Sequence, residues 1–552
     1  MLWSLALAAL GASIAATAPV SSAPSVTTTY GTWHGSSADN VESFKGIPFA
    51  LPPVGSLRFA PPVADDRPHG SFDATHFGYS CGQTSEIVGV APSLQGGLLG
   101  GLTNNVEFNS SEDCLTLNVF RPAGIKSSSK LPVLAWIYGG GFMFGNTSQF
   151  DPTPILSQSV SLEMPVIYVS MNYRLNSFGY LPGAEAAADP STSVNAGLMD
   201  QRLALEWIQQ NIAAFGGDSE KVTIFGESAG AWSVSLQMLA YGGNITSSTT
   251  GKPLFRAAIA QSGAPIATGP TSYGQNSFDA LTKATNCSHA ANKISCLRKV
   301  PFREFLDATN TFGSIFSTLS LAIPFQPRTD GDFIPDLPQN LVAQHRYAKV
   351  PLISGNKYDE GTLFSISLDN ITTSREVAEY FSKVWFPHAP KADVAGLLRY
   401  YPENPTAGSP FDTGMSYATT PQIKRLNALI GDLSFQAGRR AFVGTTNATQ
   451  PTWSYSSRVL RGESSLGSYH STDLGSVYGT NPAPPAAEMQ SRWIAFANHL
   501  DPNVAGYPFW PKYGNNATLL QFVSNSSSTI VSDTFRSAGL AYIWRKINSF
   551  TN

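Results

Sequence analysis

The residues best placed to do chemistry are Gly226-Glu227-Ser228-Ala229-Gly230, which follow the apolar run Val222-Thr223-Ile224-Phe225 and precede the helix-like stretch Ala231-Trp232-Ser233-Val234-Ser235-Leu236. A serine between a strand end and a helix start is forced onto a sharp turn that only small neighbours tolerate, and the turn lifts its hydroxyl clear of the sheet. Ser228 is therefore a candidate nucleophile, with a glycine-rich turn as the plain alternative. The helix N-terminus beneath it adds positive backbone potential, and the N–H of Ala229 is placed to bind a developing oxyanion. A second glycine cluster, Tyr138-Gly139-Gly140-Gly141-Phe142, follows another apolar run. It lacks the G-x-G-x-x-G spacing of a dinucleotide site, and no G-x-x-x-x-G-K-[ST] occurs in the chain. Three consecutive glycines instead let backbone N–H groups approach a small anion closely, as an oxyanion hole requires; a strand-exit loop is the other reading.

Positioning such a serine takes strands and helices in alternation. Short apolar runs bounded by Gly, Pro or Asn do alternate here with long amphipathic stretches, the pattern of a largely parallel sheet flanked by helices. Strands are expected at Val133 to Tyr138, Val166 to Met171, Val222 to Phe225, Ala257 to Gln261 and Val350 to Gly355. Helices are expected over Asn195 to Ala214, with Leu198, Leu205, Ile208 and Ile212 on one stripe, and over Ala486 to His499, with Trp493, Phe496 and Ala497 inward.

The chain has 552 residues, 42% of them hydrophobic and 13% charged, with a net charge of −3. That balance gives no field to recruit nucleic acid or anionic membrane, and nothing in it specifies an oligomeric state. Low charge calls for another source of solubility. Eight N-x-S/T sequons begin at Asn109, Asn146, Asn244, Asn286, Asn370, Asn447, Asn516 and Asn525, which reads as a glycosylated secreted protein. The apolar run Leu5 to Ala16 reads as part of a signal peptide over residues 1–18, with cleavage expected between Ala15 and Ala23, although its n-region lacks Lys and Arg. Residues 19–552 are expected to form one domain, soluble and extracellular, since no later apolar run reaches spanning length and the C-terminus carries no anchor signal. Four cysteines in such a setting suggest two disulfides, for which three connectivities exist; local pairing of Cys81 with Cys114 and Cys287 with Cys296 is the simplest. The eight histidines show no metal-binding spacing, and no metal or other cofactor is expected.

The segments FGGDSEKVTIFGESAG (215–230) and Glu112-Asp113-Cys114-Leu115 with Thr116-Leu117-Asn118-Val119 resemble the two signatures of type-B carboxylesterases. Further similarities run along nearly the whole mature chain: Phe44-Lys45-Gly46-Ile47-Pro48-Phe49-Ala50, Asn172-Tyr173-Arg174-Leu175, Gln261-Ser262-Gly263, Asp359-Glu360-Gly361 and Asp501-Pro502-Asn503. The resemblance implies an α/β-hydrolase fold and a Ser-Glu-His triad, arranged in the chain as serine, acid, histidine. It points to Glu360 as the acid, with neighbouring Asp359 as rival, and to His470 as the base. It carries the oxyanion donors onto the N–H groups of Gly140, Gly141 and Ala229. It also lets Ser262 hydrogen-bond the acid, while Glu227 is placed to favour a protonated His470. A serine hydroxyl is a poor nucleophile unless a base takes its proton and a third group orients that base, which is why all three are needed.

Within the family, the non-catalytic adhesion proteins would lack a triad member, and none is missing here. Cholinesterases carry a tryptophan inside the first disulfide loop for cation–π recognition, and no Trp lies between Cys81 and Cys114. That loop instead holds apolar, glycine-rich sequence from Ile87 to Leu102, which resembles in position the lid of the fungal lipase branch. Phe142, Met143 and Phe144, with Ile315, Phe316, Leu319, Leu321 and Ile323 from the Phe312–Phe325 segment, are candidates to line an acyl pocket or to be core. The expected substrate is a lipid-like ester met at a transient lipid interface, with a general or feruloyl-type carboxylesterase as the alternative.

Overall fold

In the computed structural model, residues 23–85, 109–480 and 485–552 are described. The expected signal peptide, residues 1–18, and the expected lid segment, 87–102, lie outside them. Eleven strands form the main sheet: β1 (Ser36–Ala38), β2 (Val41–Pro48), β3 (Thr116–Pro122), β4 (Leu131–Ile137), β5 (Ile167–Met171), β6 (Gly217–Glu227), β7 (Ala257–Gln261), β8 (Leu352–Lys357), β9 (Thr452–Arg458), β10 (Thr518–Val523) and β11 (Thr529–Ser532). Their spatial order is β11-β10-β9-β8-β7-β6-β4-β5-β3-β2-β1. The pairs from β10 through to β5 are parallel, and the pairs at both ends are antiparallel. The middle strands are buried because helices cover both faces of a parallel sheet; β5, β7 and β8 are buried at every position, including Ser354, Asn356 and Lys357 of β8.

Five helices matter for the site or its frame: α1 (Thr153–Ser161), α2 (Ala196–Asn211), α3 (Ala229–Leu239), α4 (Ala437–Thr446) and α5 (Ala486–His499). Helix α3 runs directly out of β6 and packs on β6, β7 and β4, while α5 packs with α1 against β4 and β6. Trp493, Phe496 and Ala497 of α5 are buried, as their spacing predicts. Of the five expected strands only Ala257–Gln261 starts where the sequence places it; β4 starts two residues early, at Leu131, β6 five residues early, at Gly217, and two others start late. β5 begins at Ile167 rather than Val166, and β8 at Leu352, directly after Pro351, which has no N–H to give a ladder, rather than at Val350. The shift carries β8 on to Lys357.

Disulfides join Cys81 to Cys114 and Cys287 to Cys296, with Cα–Cα separations of 5.0 and 5.7 Å. The first is seated by Arg58, whose guanidinium makes a two-pronged contact with Glu112 at 2.6 Å on each prong. Among the described residues no helix is long and apolar enough to cross a membrane, and no cluster of His, Cys, Asp or Glu suits a metal ion.

Candidate active site

Ser228 stands between the last residue of β6 and the first of α3 with φ 57° and ψ −125°, a left-handed conformation for a residue with a side chain. Such strain persists only where surroundings over-determine it. Here they do. A Cβ on Gly230 would fall 2.0 Å from the Ile137 carbonyl oxygen, and one on Gly226 would fall 2.6 Å from both that oxygen and Gly230. The two glycines of the motif are thus forced by close backbone approach. The turn is tied down by Ser228 N–H donating to the Gln261 carbonyl at 2.9 Å and Trp232 N–H donating to the Ser228 carbonyl at 2.9 Å.

The triple-glycine loop leaves β4 beside this elbow. A Cβ on Gly139 would sit 2.8 Å from Ser228 Cβ, and Gly140 and Gly141 adopt φ of 96° and 63°. The loop is held from outside: Asn176 donates its backbone N–H to the Phe142 carbonyl at 2.8 Å and its amide to the Met143 carbonyl at 2.7 Å, and Gln83 accepts from Gly145 N–H at 2.9 Å. With Ala229 N–H in the first turn of α3, the backbone on this side of Ser228 can present several donors to one small anion.

His470 and Glu360 reach the same place from loops that follow β9 and β8. His470 Nδ1 lies 2.6 Å from Glu360 Oε2, and both residues are buried. The imidazole is packed by Phe364 and Phe435, at centroid distances of 4.9 and 4.7 Å. Its other nitrogen, Nε2, lies 3.3 Å from Glu227 Oε1 on the elbow, without hydrogen-bond alignment to any partner among the described residues. Glu360 Oε1 accepts from Ser262 Oγ at 2.6 Å and from Lys357 N–H at 2.7 Å. Asp359 points elsewhere: it accepts from Ser409 Oγ and Phe411 N–H at 2.8 Å and from Ser468 N–H at 3.1 Å. Of the two neighbouring carboxylates, the histidine is given to Glu360. Glu227 accepts from Ser471 Oγ at 2.8 Å, and burial pushes its carboxyl above the ordinary range, against the pull of His470 and Lys357.

An apolar wall stands over the glycine loop. Ile315, Phe316 and Ile323 are buried, a Cβ on Gly141 would meet Ile315 Cγ2 at 2.8 Å, and Phe316 lies between Phe144 and Phe364. Beyond it, Trp232, Ile266, Leu321, Trp385, Phe386 and Leu433 help to line a cavity of about 50 Å³.

Four residues that pattern reading passed over also belong to the neighbourhood: Lys357, Asp473, Phe364 and Phe435. A charged residue ending a strand and an acid three positions after a histidine are signals that become readable only once β8 and the histidine loop are known to meet.

Of the eight sequons, Asn109, Asn244, Asn286, Asn370, Asn516 and Asn525 are exposed and Asn447 is half-buried. Asn146 differs from these. It is 2% exposed and its side chain caps the turn Thr147–Gln149 by accepting from Ser148 N–H at 2.8 Å.

Comparison with known proteins spans most of the chain. The carboxylesterase family model matches residues 22–538. A protein named secreted lipase 1 from Botryotinia fuckeliana is 42% identical over 529 residues, covering 94% of this chain and 91% of the relative. A secreted triacylglycerol lipase from Gibberella zeae is 40% identical, covering 93% of this chain and 88% of the relative. The crystal structure of Aspergillus niger EstA superposes with a TM-score of 0.81 at 25% identity, covering 96% of this chain and 99% of its own. A glycine-forced elbow on an α/β sheet, matched along this length, has one assignment: the chain belongs to the carboxylesterase family.

Proposed function

We propose that this carboxylic ester hydrolase is a secreted lipase-type enzyme that cleaves lipid-like esters, acylglycerols or sterol esters, through Ser228, His470 and Glu360. The observation that carries the chemistry is the buried 2.6 Å contact from His470 Nδ1 to Glu360, with the other ring nitrogen turned toward the elbow that bears Ser228. In this reading Ser228 Oγ attacks the ester carbonyl carbon while His470 Nε2 takes the hydroxyl proton. The N–H groups of Gly140, Gly141 and Ala229 hold the oxyanion, and Glu360 steadies the imidazolium. The imidazolium then protonates the departing alkoxide. Water repeats the attack on the acyl-enzyme, His470 takes its proton, and the acid leaves with Ser228 restored. No step calls for a metal or organic cofactor. The apolar wall of Ile315, Phe316 and Ile323 beside the glycine loop supports an apolar acyl group, and the names of the two fungal relatives support a lipid ester. The leader read over residues 1–18, with residues 19–552 working as one unit, supports export.

Ser228→Ala and His470→Ala should each lower kcat by about 10⁴-fold or more on p-nitrophenyl esters while leaving the fold intact. Glu360→Gln should lose more activity than Asp359→Asn, and the reverse order would move the acid by one position. Retained turnover in Ser228→Ala would end the assignment. Rates on p-nitrophenyl esters of rising chain length, a feruloyl ester and emulsified triacylglycerol fix the substrate. A rise in rate as the insoluble ester passes its solubility limit is expected. Smooth saturation with best turnover on acetate or butyrate would make the protein a plain carboxylesterase.

A further inference from the structure

Lys357 ends β8 and is completely buried, which for an ammonium is costly unless every proton is used. Its backbone N–H donates to Glu360 Oε1 at 2.7 Å and its Nζ donates to Ser262 Oγ at 2.8 Å. Nζ also forms an ion pair with Asp473 Oδ1 at 2.5 Å and lies 4.0 Å from Glu227 Oε1. An ammonium has three donors and no acceptor. Ser262 Oγ must therefore accept from Lys357, so its own proton has to go to Glu360 Oε1, 2.6 Å away. With Oε1 holding two donors, Oε2 is the oxygen left for His470 Nδ1.

The partner on the other side is equally fixed. Asp473 lies three residues after His470, and its Oδ2 accepts from Tyr455 Oη at 2.9 Å and from Gln261 Nε2 at 3.2 Å. Gln261 Oε1 in turn accepts from Trp493 Nε1 at 3.0 Å. One cation thus bridges the end of β8, the turn after β7 and the loop that carries the histidine.

We propose that Lys357 is the positioning residue of the triad: through Ser262 it sets which oxygen of Glu360 faces His470, and through Asp473 it fixes the histidine loop against the acid. The inference rests on the Ser228-His470-Glu360 reading above. Lys357 touches neither substrate nor the reacting atoms. It is also the positive charge among three buried carboxylates: Glu227 from β6, Glu360 from the turn after its own strand, and Asp473 from the histidine loop, behind which stands Tyr455 of β9. Removing it leaves those carboxylates to favour a protonated imidazole, so the base becomes available only at higher pH.

The test is Lys357→Met, assayed on p-nitrophenyl butyrate across pH beside wild type and Ser228→Ala. The expected result is a loss of about tenfold or more in kcat, KM within about twofold, and an acid limb of kcat/KM moved upward by about half a pH unit or more. Placed on a Ser262→Ala background, Lys357→Met should cost less than about threefold more, because the two act through one chain. Wild-type kcat in Lys357→Met overturns the proposal. So does a loss that adds fully to that of Ser262→Ala with the acid limb unmoved, since that is the signature of a merely structural lysine. Should Lys357→Met fail to fold, Lys357→Gln keeps a donor at similar reach without the charge, and the same two readouts decide. Should neither fold, Ser262→Ala alone decides, with wild-type kcat overturning the proposal. Activity remaining in Ser228→Ala would instead sink the triad reading, whatever Lys357 does.

Discussion

Glu227 shows how one buried carboxyl can serve the reaction and burden the fold. Burial raises its affinity for a proton, and Asp473 adds to this, while His470 and Lys357 pull the other way; the net shift is above the ordinary 4.5. A carboxyl raised in the folded state stabilises the fold fully below the unfolded value and loses that contribution as pH rises through the folded one. Glu227→Gln should therefore melt higher than wild type near pH 7 to 8 and converge with it below about pH 4. The same change removes a negative charge 3.3 Å from His470 Nε2, so kcat should fall by roughly tenfold as the imidazolium loses a nearby counter-charge. Thermal melts against pH and a kcat measurement decide it; a variant both less stable at neutral pH and fully active would refute both parts. At this scale the sequence is readable where residue type is tied to chemistry. Ser228 sits in a motif with a steric logic, and His470 is a histidine in the required chain order. The choice between Asp359 and Glu360 is not readable in this way, because it depends on which of two adjacent side chains faces the sheet end. Lys357 is hidden for a deeper reason: a lysine closing a strand is expected in water, and only the convergence of three acids makes its burial tolerable.

Elements follow the same division between local and tertiary causes. Five of the parallel strands announce themselves as apolar runs because both faces are covered, but their ends move, as in β4, which starts at Leu131, and β6, which runs from Gly217 to Glu227; the parallel strand β9, Thr452–Arg458, alternates Ser with aromatic residues and is not visible as an apolar run. The antiparallel margins are harder to see. In β2 the register against β3 slips between Phe44 and Ile47, at Lys45-Gly46, so its alternation is broken. The last hairpin, β10 with β11, buries Leu519, Leu520 and Phe522 of β10, with Phe522 against Tyr455, Trp493 and Trp510, and is tied at its end by charge. Asp533, just past β11, accepts from Arg439 of α4 at 2.7 and 2.9 Å, from Arg440 of the same helix at 2.7 Å and from Tyr513 Oη at 2.9 Å. Burial alone would raise its carboxyl, but the two arginines outweigh that and hold it below the ordinary carboxylate value. A lowered carboxyl contributes stability above its unfolded value and loses it as pH falls through the folded one. Asp533→Asn should thus destabilise by about 3 kcal/mol near neutral pH, since Arg439 is left buried with half its partner gone. The deficit should shrink in acid below about pH 4, where wild type begins to lose the same contribution. Urea melts at pH 7 and pH 3.5 measure both; an equal deficit at the two values would show that shape, not charge, holds the hairpin.

The whole molecule must stay dissolved with 13% charged residues and a net charge of −3. Its exposed surface includes Phe509 at 72% and Met415 at 65% exposure, so charge alone does little to keep copies apart. The six exposed sequon asparagines are distributed along the chain from Asn109 to Asn525, and we read them as the points at which N-glycans supply the missing polarity. Sequence pattern treats all eight sequons alike, because the acceptor motif says nothing of burial, and the fold separates them. Asn146 is the discriminating case. Its side chain caps the turn that follows the glycine loop, with Gln149 reaching back to its N–H at 3.0 Å, so its amide serves the fold. Glycopeptide mapping of protein secreted by a fungal host should find glycan at exposed sequons such as Asn244 and Asn370 and none at Asn146. Asn146→Gln should leave the mass of the intact glycoprotein unchanged apart from the substitution, yet lower stability by about 1 kcal/mol through the lost cap. Asn370→Gln should do the opposite, removing the mass of a glycan with little change in melting temperature. Deglycosylation of the folded enzyme should leave kcat on a short soluble ester intact and lower the concentration at which the protein precipitates. A glycan found on Asn146 would mean that the loop behind the oxyanion donors opens before or after folding, and a deglycosylated enzyme as soluble as the native one would remove glycans from the account of its surface.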